Sequence, residues 1–394
     1  NNDILIIYIG TILRVQLYTM DKFSSPIPYM KHNILDRDIE MVTEVLKSDF
    51  LTQGPFVKKV EDSMALLTSK NFGVMCSNGT AALHLVAEML NQDTEIIDKN
   101  IITTPLTFVA DANFGRYINA EVRFADIEKD TWTIDPYKVA DLIDSNTLAV
   151  VAPHYAGLMC DMTTLAEICK AKDVFLVEDA CHAPSASIGQ NHSGSLGDVS
   201  TFSFHATKHI GSGEGGVICT NSDIHNEKLN VLRSHGLPHY SKRTGFGYDI
   251  DKIAFNYRPN EMSASLAYSH LLRIDELIDS RKRIASIYDE NLNFDYYTKQ
   301  TIPSQFTHVY HLYPILLPSN EKREECLNYL KNSNIFAQIH YPPINHMTGF
   351  KNYLSDTPNS DDISGRIMSI PMYPQLTDTE LEFVINKLNN FSEI

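Results

Sequence analysis

Between residues 72 and 220 the chain repeats one pattern: a short apolar or alternating run, a break, then apolar positions at helical spacing. Gly73-Val74-Met75-Cys76 reads as a strand, Ser77-Asn78-Gly79-Thr80 as a turn, and residues 81–90 as a helix. Apolar runs at 101–104, 120–124 and 148–152 lead to helical patterns from 107, at 135–143 and at 162–170. A further run, 174–177, leads into Glu178-Asp179-Ala180-Cys181-His182. Such alternation predicts βαβ units and an α/β domain whose mainly parallel sheet lies between helices. Ligands of such sheets bind outside the carboxyl ends of the strands.

The flanking patterns fill in the rest. Residues 29–46 become helical after Asp36, taken as the N-cap, with Ile39, Val42, Val45 and Leu46 on one face. Gly54-Pro55 breaks that helix and another begins near Val57. A mostly helical stretch, 260–294, carries the chain into a smaller C-terminal α/β domain. There, β-like runs at 311–317 and 336–340 accompany helices at 321–330 and 376–388. The expected division is therefore an N-terminal arm and large domain over 20–275 and a small domain over 276–394. Residues 1–19 are read as an extension: no basic residues precede the apolar run 4–17, no cleavage site follows it, and Met20 opens a run that looks like a start.

The stretch 198–220, DVSTFSFHATKHIGSGEGGVICT, carries the most chemistry. It reads as two strands flanking a tight glycine-rich loop that holds Lys208. A lysine held there by rigid backbone, in desolvated or cationic surroundings, loses basicity and becomes a usable nucleophile and base. The plainer alternative is a surface lysine in a hairpin. The turn before residue 81 aims unpaired N–H groups and a helix dipole at one spot, which suits a phosphate. It could equally be an ordinary helix capped by Asn78 or Thr80. Asp179 could cap a helix or hold a pyridine nitrogen protonated. Phe108 could be core or stack on a flat ring, and His182 could be an interior histidine or a partner for a phenolic oxygen.

Other signals narrow the field. Gly211 to Gly216 satisfy GxGxxG, but a strand-like run follows where a dinucleotide site needs a helix. His205 and His209 have metal-ligand spacing without a third ligand, so no metal is expected. Asp361 and Asp362 read as a polar loop or cap. A net charge of −16 argues against nucleic acid and anionic membranes as partners. Six scattered cysteines without CxxC pairs fit free thiols in a reducing cytoplasm.

The motifs FSFHATKHIGSGEGG, EDACHA, SNGTAALH, TPLTFVADAN, LRSHG and NYRPNEMSASLA resemble, in order, those of the DegT-type sugar aminotransferases. The resemblance runs from about Pro28 to the C-terminus. It implies fold type I of the enzymes dependent on pyridoxal 5′-phosphate (PLP), the aspartate aminotransferase-like fold. PYMKHNI, KSDFLTQGP and FAQIHYPPI look most like the pseudaminic acid branch, which aminates C4 of a UDP-linked 4-keto-6-deoxy-N-acetylhexosamine using L-glutamate. By position, the resemblance implies that Lys208 bonds the cofactor and Asp179 pairs with its ring nitrogen. Phe108 would stack on the ring, and His182 would lie beside the phenolic oxygen. Gly79, Thr80, Ala81 and Ser203 would hold the phosphate, joined by Asn256 from the partner of a homodimer with shared sites. Tyr29, Asp49, Phe50, Leu51, Thr52, His340 and Tyr341 match positions near the nucleotide sugar. Met30 and His32 depart from the glycine and glutamine expected there. Three rivals stay open: a sugar aminotransferase acting at C3 or on a dTDP or GDP sugar, a dehydrating branch with histidine at the lysine position, and a non-catalytic binding protein.

Overall fold

In the strands of the first two-thirds of the chain, neighbouring residues face two different apolar cores. Met75, Val150, Ala152, Val217 and Cys219 belong to one cluster, while Val74, Cys76, Ala149, Val151 and Ile218 belong to the other. A sheet buried on both faces in this way needs helices on both. The computed structural model describes residues 22–92, 97–237, 249–250, 252–353 and 356–393, so the segment 1–19 lies outside the described residues.

The first part of the chain alternates helix and strand. Helices α1 (Asp36–Leu46) and α2 (Pro55–Leu67) precede β1 (Phe72–Cys76), α3 (Gly79–Asn91) and β2 (Asn100–Thr103). Then follow α4 (Ala110–Tyr117), β3 (Glu121–Phe124), α5 (Pro136–Leu142), β4 (Thr147–Pro153), α6 (Met162–Lys172) and β5 (Phe175–Asp179). The short β6 (Ser187–Ile188) and β7 (Asn191–His192) lead to β8 (Val199–Ser203) and β9 (Gly216–Thr220). Helices α7 (Asp223–Leu232), α8 (Glu261–Leu271) and α9 (Ile274–Asn291) come next. The C-terminal part comprises β10 (Thr298–Lys299), β11 (Phe306–Thr307), β12 (Tyr313–Leu316), α10 (Asn320–Asn332), α11 (Pro358–Arg366), β13 (Ile367–Ile370) and α12 (Asp378–Ser392).

Seven strands form the main sheet in the order β1-β9-β8-β5-β4-β2-β3. β9 pairs antiparallel with both its neighbours, and every other pairing is parallel. A separate antiparallel sheet, β10-β12-β13, packs with α12 around a third core. The mainly parallel sheet between helices and the smaller C-terminal α/β part match the expected fold class. No helix among the described residues is long and apolar enough to cross a membrane.

Several expectations need correction. Leu35, not Asp36, is the extended residue before α1, and Asp38 accepts its N–H at 2.7 Å. The apolar face of α1 is only partly buried: Val45 is 2% exposed, but Ile39 is 56% and Leu46 61% exposed. The helix instead buries Asp38, which accepts hydrogen bonds from Ser269 and from Arg273 at 2.9 Å. Arg273 also reaches Asn33 and leaves helical dihedrals, which splits the expected stretch 260–294 into α8 and α9. The run 336–340 is not a strand; Ile335 and Gln338 each make a single bridge, because Pro342 and Pro343 follow at once and cannot donate to a ladder. Asp361 and Asp362 lie within α11, which Pro358 opens, and Asp362 pairs with Arg366 one turn on. The line drawn between 275 and 276 falls in the first turn of α9. The arm around Ile27 packs on the C-terminal core, bridging Ile335.

One long-range contact fixes the turn before α2. Glu261, 1% exposed, accepts the N–H groups of Gly54, Phe56 and Val57, each at 2.9 Å. It thereby satisfies the donors that a helix start leaves open. Glu261→Ala is expected to cost roughly 3 kcal/mol, because two buried donors and one half-buried donor lose their acceptor. A urea midpoint within experimental scatter of the parent would contradict this, and Glu261→Gln, which keeps an acceptor, should lose less.

Candidate active site

Three strand ends, those of β4, β5 and β8, and one helix start converge on a cavity of about 660 Å³. Its floor is set by β5, which ends at Asp179, and by β8, which ends at Ser203. Lys208 lies in the loop 204–215 between the antiparallel strands β8 and β9. That loop is closed on itself: Phe204 N–H donates to Gly215 O at 2.7 Å, Ser212 N–H to Phe204 O at 2.8 Å, and Ala206 N–H to Gly213 O at 3.0 Å. Gly213 turns it at φ +80°, a left-handed conformation that glycine tolerates. The lysine is thus held by backbone, as a poised nucleophile needs. Its Nζ stands 3.3 Å from His311 Nε2. Burial holds its amine below the usual lysine range, against the attraction of Cys181 and Asp179.

Asp179 is 9% exposed, and its Oδ1 accepts the Cys181 N–H at 2.9 Å. Beside it lies a second carboxyl that the sequence reading passed over. Asp111 is fully buried, and its Oδ2 accepts the Thr107 hydroxyl at 2.6 Å. Burial and then the negative charge of Asp179 push the Asp111 carboxyl well above the ordinary range. The only local signal was a charge four residues after Thr107 in an otherwise apolar helix start.

The turn before α3 acts both as a cap and as an anion cradle. Asn78 accepts the Ala81 N–H at 2.7 Å through its side chain and the Ala82 N–H through its carbonyl. Among the described residues the N–H groups of Gly79 and Thr80 have no protein acceptor, so they are free for a phosphate, whereas that of Ala81 is taken. The approach is close: a Cβ on Gly79 would come within 2.8 Å of Ser203 Cβ, and one on Gly216 within 2.5 Å of Asn78 O. Only glycines let the helix start sit against Ser203, whose hydroxyl faces the same cavity.

Phe108 is no core residue: it is 53% exposed at the cavity, 6.1 Å from the Tyr341 ring. His182 Nε2 meets the Tyr341 hydroxyl at 3.2 Å, and its ring lies 4.3 Å from that of His311. Burial, then the charge of Lys208, holds His182 well below the usual imidazole range. Tyr29 and His340 line the same cavity with ring centroids 5.4 Å apart, and burial lowers His340 to about 4. His311 left no mark in the sequence reading, because its contact with Lys208 spans 103 positions.

Five expected site residues lie away from the cavity of their own chain. Asp49, Phe50, Leu51 and Thr52 form an exposed turn tied to α8, with Leu51 O accepting the Glu261 N–H at 2.9 Å and Thr52 bridging Asn260. Asn256 is exposed and bridges Ser234. The metal-like spacing of His205 and His209 also dissolves. His205 is exposed beside Thr207, while His209 is buried 2.7 Å from Val309 O. Among the described residues no group of three or more such side chains could hold a metal ion.

The residues present fit PLP. Two free N–H groups and a serine suit its phosphate, an exposed aromatic face its ring, a carboxylate its nitrogen, and one amine its aldehyde. The profile of the DegT/DnrJ/EryC1/StrS aminotransferase family matches residues 32–389. The chain is 30% identical over 375 residues to the UDP-4-amino-4,6-dideoxy-N-acetyl-beta-L-altrosamine transaminase of Campylobacter jejuni, covering 93% of this chain and 98% of that one. It is 28% identical over 366 residues to the GDP-perosamine synthase of Escherichia coli O157:H7, with 93% and 98% covered. Helicobacter pylori PseC, an aminotransferase of pseudaminic acid biosynthesis, superimposes with a TM-score of 0.87 at 27% identity, covering 94% of this chain and 100% of that one. Solved neighbours hold the cofactor as PLP or as its amino form.

Proposed function

Since the chain belongs to the DegT/DnrJ/EryC1/StrS aminotransferase family and is a PLP-dependent sugar aminotransferase, we propose that it moves an amino group from L-glutamate to the C4 keto group of a UDP-linked 4-keto-6-deoxy-N-acetylhexosamine, as in pseudaminic acid biosynthesis. The observation that supports this most is that one cavity gathers Lys208, Asp179, Phe108, His182 and the Gly79–Thr80 turn with Tyr29, His340 and Tyr341. Similarity to the Campylobacter and Helicobacter enzymes then favours the UDP sugar.

When bound, the cofactor supplies an electron sink for the carbanion left when the donor loses its α-proton. Lys208 holds the cofactor through its amine, and once freed carries that proton as a general base. The Asp179 carboxylate keeps the ring nitrogen protonated. Phe108 covers one face of the ring and keeps water from it, while His182 offers a neutral imidazole to the phenolic oxygen. Gly79, Thr80 and Ser203 bind the phosphate. Tyr29, His340 and Tyr341 contact the sugar.

The remaining candidates enter through a second copy. Ile39, Leu46, Phe50 and Leu51 are all about half exposed or more, which suits burial in a homodimer. In that dimer Asn256 reaches the partner's phosphate site, and the turn with Asp49 and Thr52 reaches the partner's sugar site. A cytoplasmic enzyme is the reading that its six free cysteines suit.

The test is to load the enzyme with pyridoxamine phosphate and offer a panel of nucleotide keto sugars, with NMR of the products. Amination at C4 of the UDP-linked 4-keto sugar is the expected result. Turnover confined to a GDP sugar would favour the second reading, to which the perosamine synthase similarity points, and amination at C3 would overturn both.

A further inference from the structure

Arg281, on α9, is 2% exposed and meets no carboxylate among the described residues. Its Nη1 donates to three carbonyls, those of Met372 at 2.9 Å and of Tyr310 and His311 at 3.2 Å. Its Nη2 donates to Thr207 O at 3.4 Å. Burying a guanidinium without a counter-ion is costly, and carbonyl dipoles offset only part of that cost. The pattern of the contacts is specific. Thr207 directly precedes Lys208, and His311 is the residue whose imidazole stands 3.3 Å from the lysine amine. One buried cation therefore joins the two backbones whose side chains meet in the cavity.

We propose that Arg281 is a positioning residue for the transamination: it sets Lys208 and His311 in register, and its buried charge joins burial itself in disfavouring the ammonium form of Lys208. A free lone pair is what an attack on an aldehyde carbon requires, and a second cation close by in a poorly solvated pocket disfavours the ammonium form. The other groups around the amine are accounted for. Asp179, Asp111 and Cys181 favour the ammonium or are themselves uncharged, and the imidazoles of His182, His209, His311 and His340 are all held below their usual range. Without Arg281, burial alone would oppose the pull of the carboxylates on the proton. His311 Nε2, already within hydrogen-bond reach, then either accepts from the amine or donates to it as the proton moves.

The test is competitive labelling of the full chain, freed of cofactor, with acetic anhydride across a pH series. Mass spectrometry follows Lys208 against the exposed Lys129. Wild-type Lys208 should be labelled at a lower pH than Lys129. Arg281→Gln keeps a donor for the carbonyls but not the charge, and should raise that pH by about one unit, a tenfold loss of reactive amine near neutrality. Arg281→Met removes the donors as well as the charge and should raise that pH at least as far. An unchanged profile in Arg281→Gln overturns the proposal. Should Arg281→Gln not fold, Arg281→Met is read in its place, and an unchanged Lys208 profile there overturns it. The proposal rests on Lys208 being the cofactor lysine, but the labelling is read without cofactor, so its failure is distinguishable from failure of that assignment.

Discussion

Lys208→Ala should abolish covalent attachment of the cofactor and lower turnover by on the order of 10⁴-fold. No other lysine lines the cavity among the described residues, and the histidines there cannot take its place in bonding an aldehyde. The loss would appear as the disappearance of the absorbance of the protein–cofactor bond. It would also appear as the absence of a borohydride-fixed adduct in the peptide that spans residue 208. Because Lys208 both holds the cofactor and carries the proton, the two functions should vanish together. Substantial activity in this variant would sink the assignment.

Asp179→Asn should come next in size, with turnover falling about 10²- to 10³-fold and cofactor retained more weakly. The substitution is informative because an asparagine oxygen can still accept the Cys181 N–H at the distance that Asp179 Oδ1 now does, 2.9 Å. The turn after β5 is kept and the charge alone is lost. Asp111 cannot step in, since its burial still raises its own carboxyl when the Asp179 charge is gone. Kinetics equal to the parent would mean that Asp179 only shapes the turn.

What could be read from the residues was what is local. β1, the turn and α3 follow one another within twenty or so positions, so periodicity, glycine and cap together located them. The same holds for β5 with Asp179 at its end, and for the paired strands around Lys208. The bounds of α1 were nearly right, but its buried face was misjudged. Spacing shows which residues share a face, not that an Asp38–Arg273 contact from the distant junction of α8 and α9 will claim it. Phe108 illustrates the converse, an aromatic at helical spacing that the fold leaves open to a cavity. His311 and Arg281 could not be found at all, because each acts on Lys208 across 70 positions or more of chain.

The clamp that Arg281 makes on Met372 O ties the C-terminal core to the chemistry. Met372 belongs to that core, and the same guanidinium holds Thr207 O, next to Lys208. Any rocking of the core against the main sheet would therefore be transmitted to the amine through one side chain, while the lysine loop stays closed by its own backbone bonds.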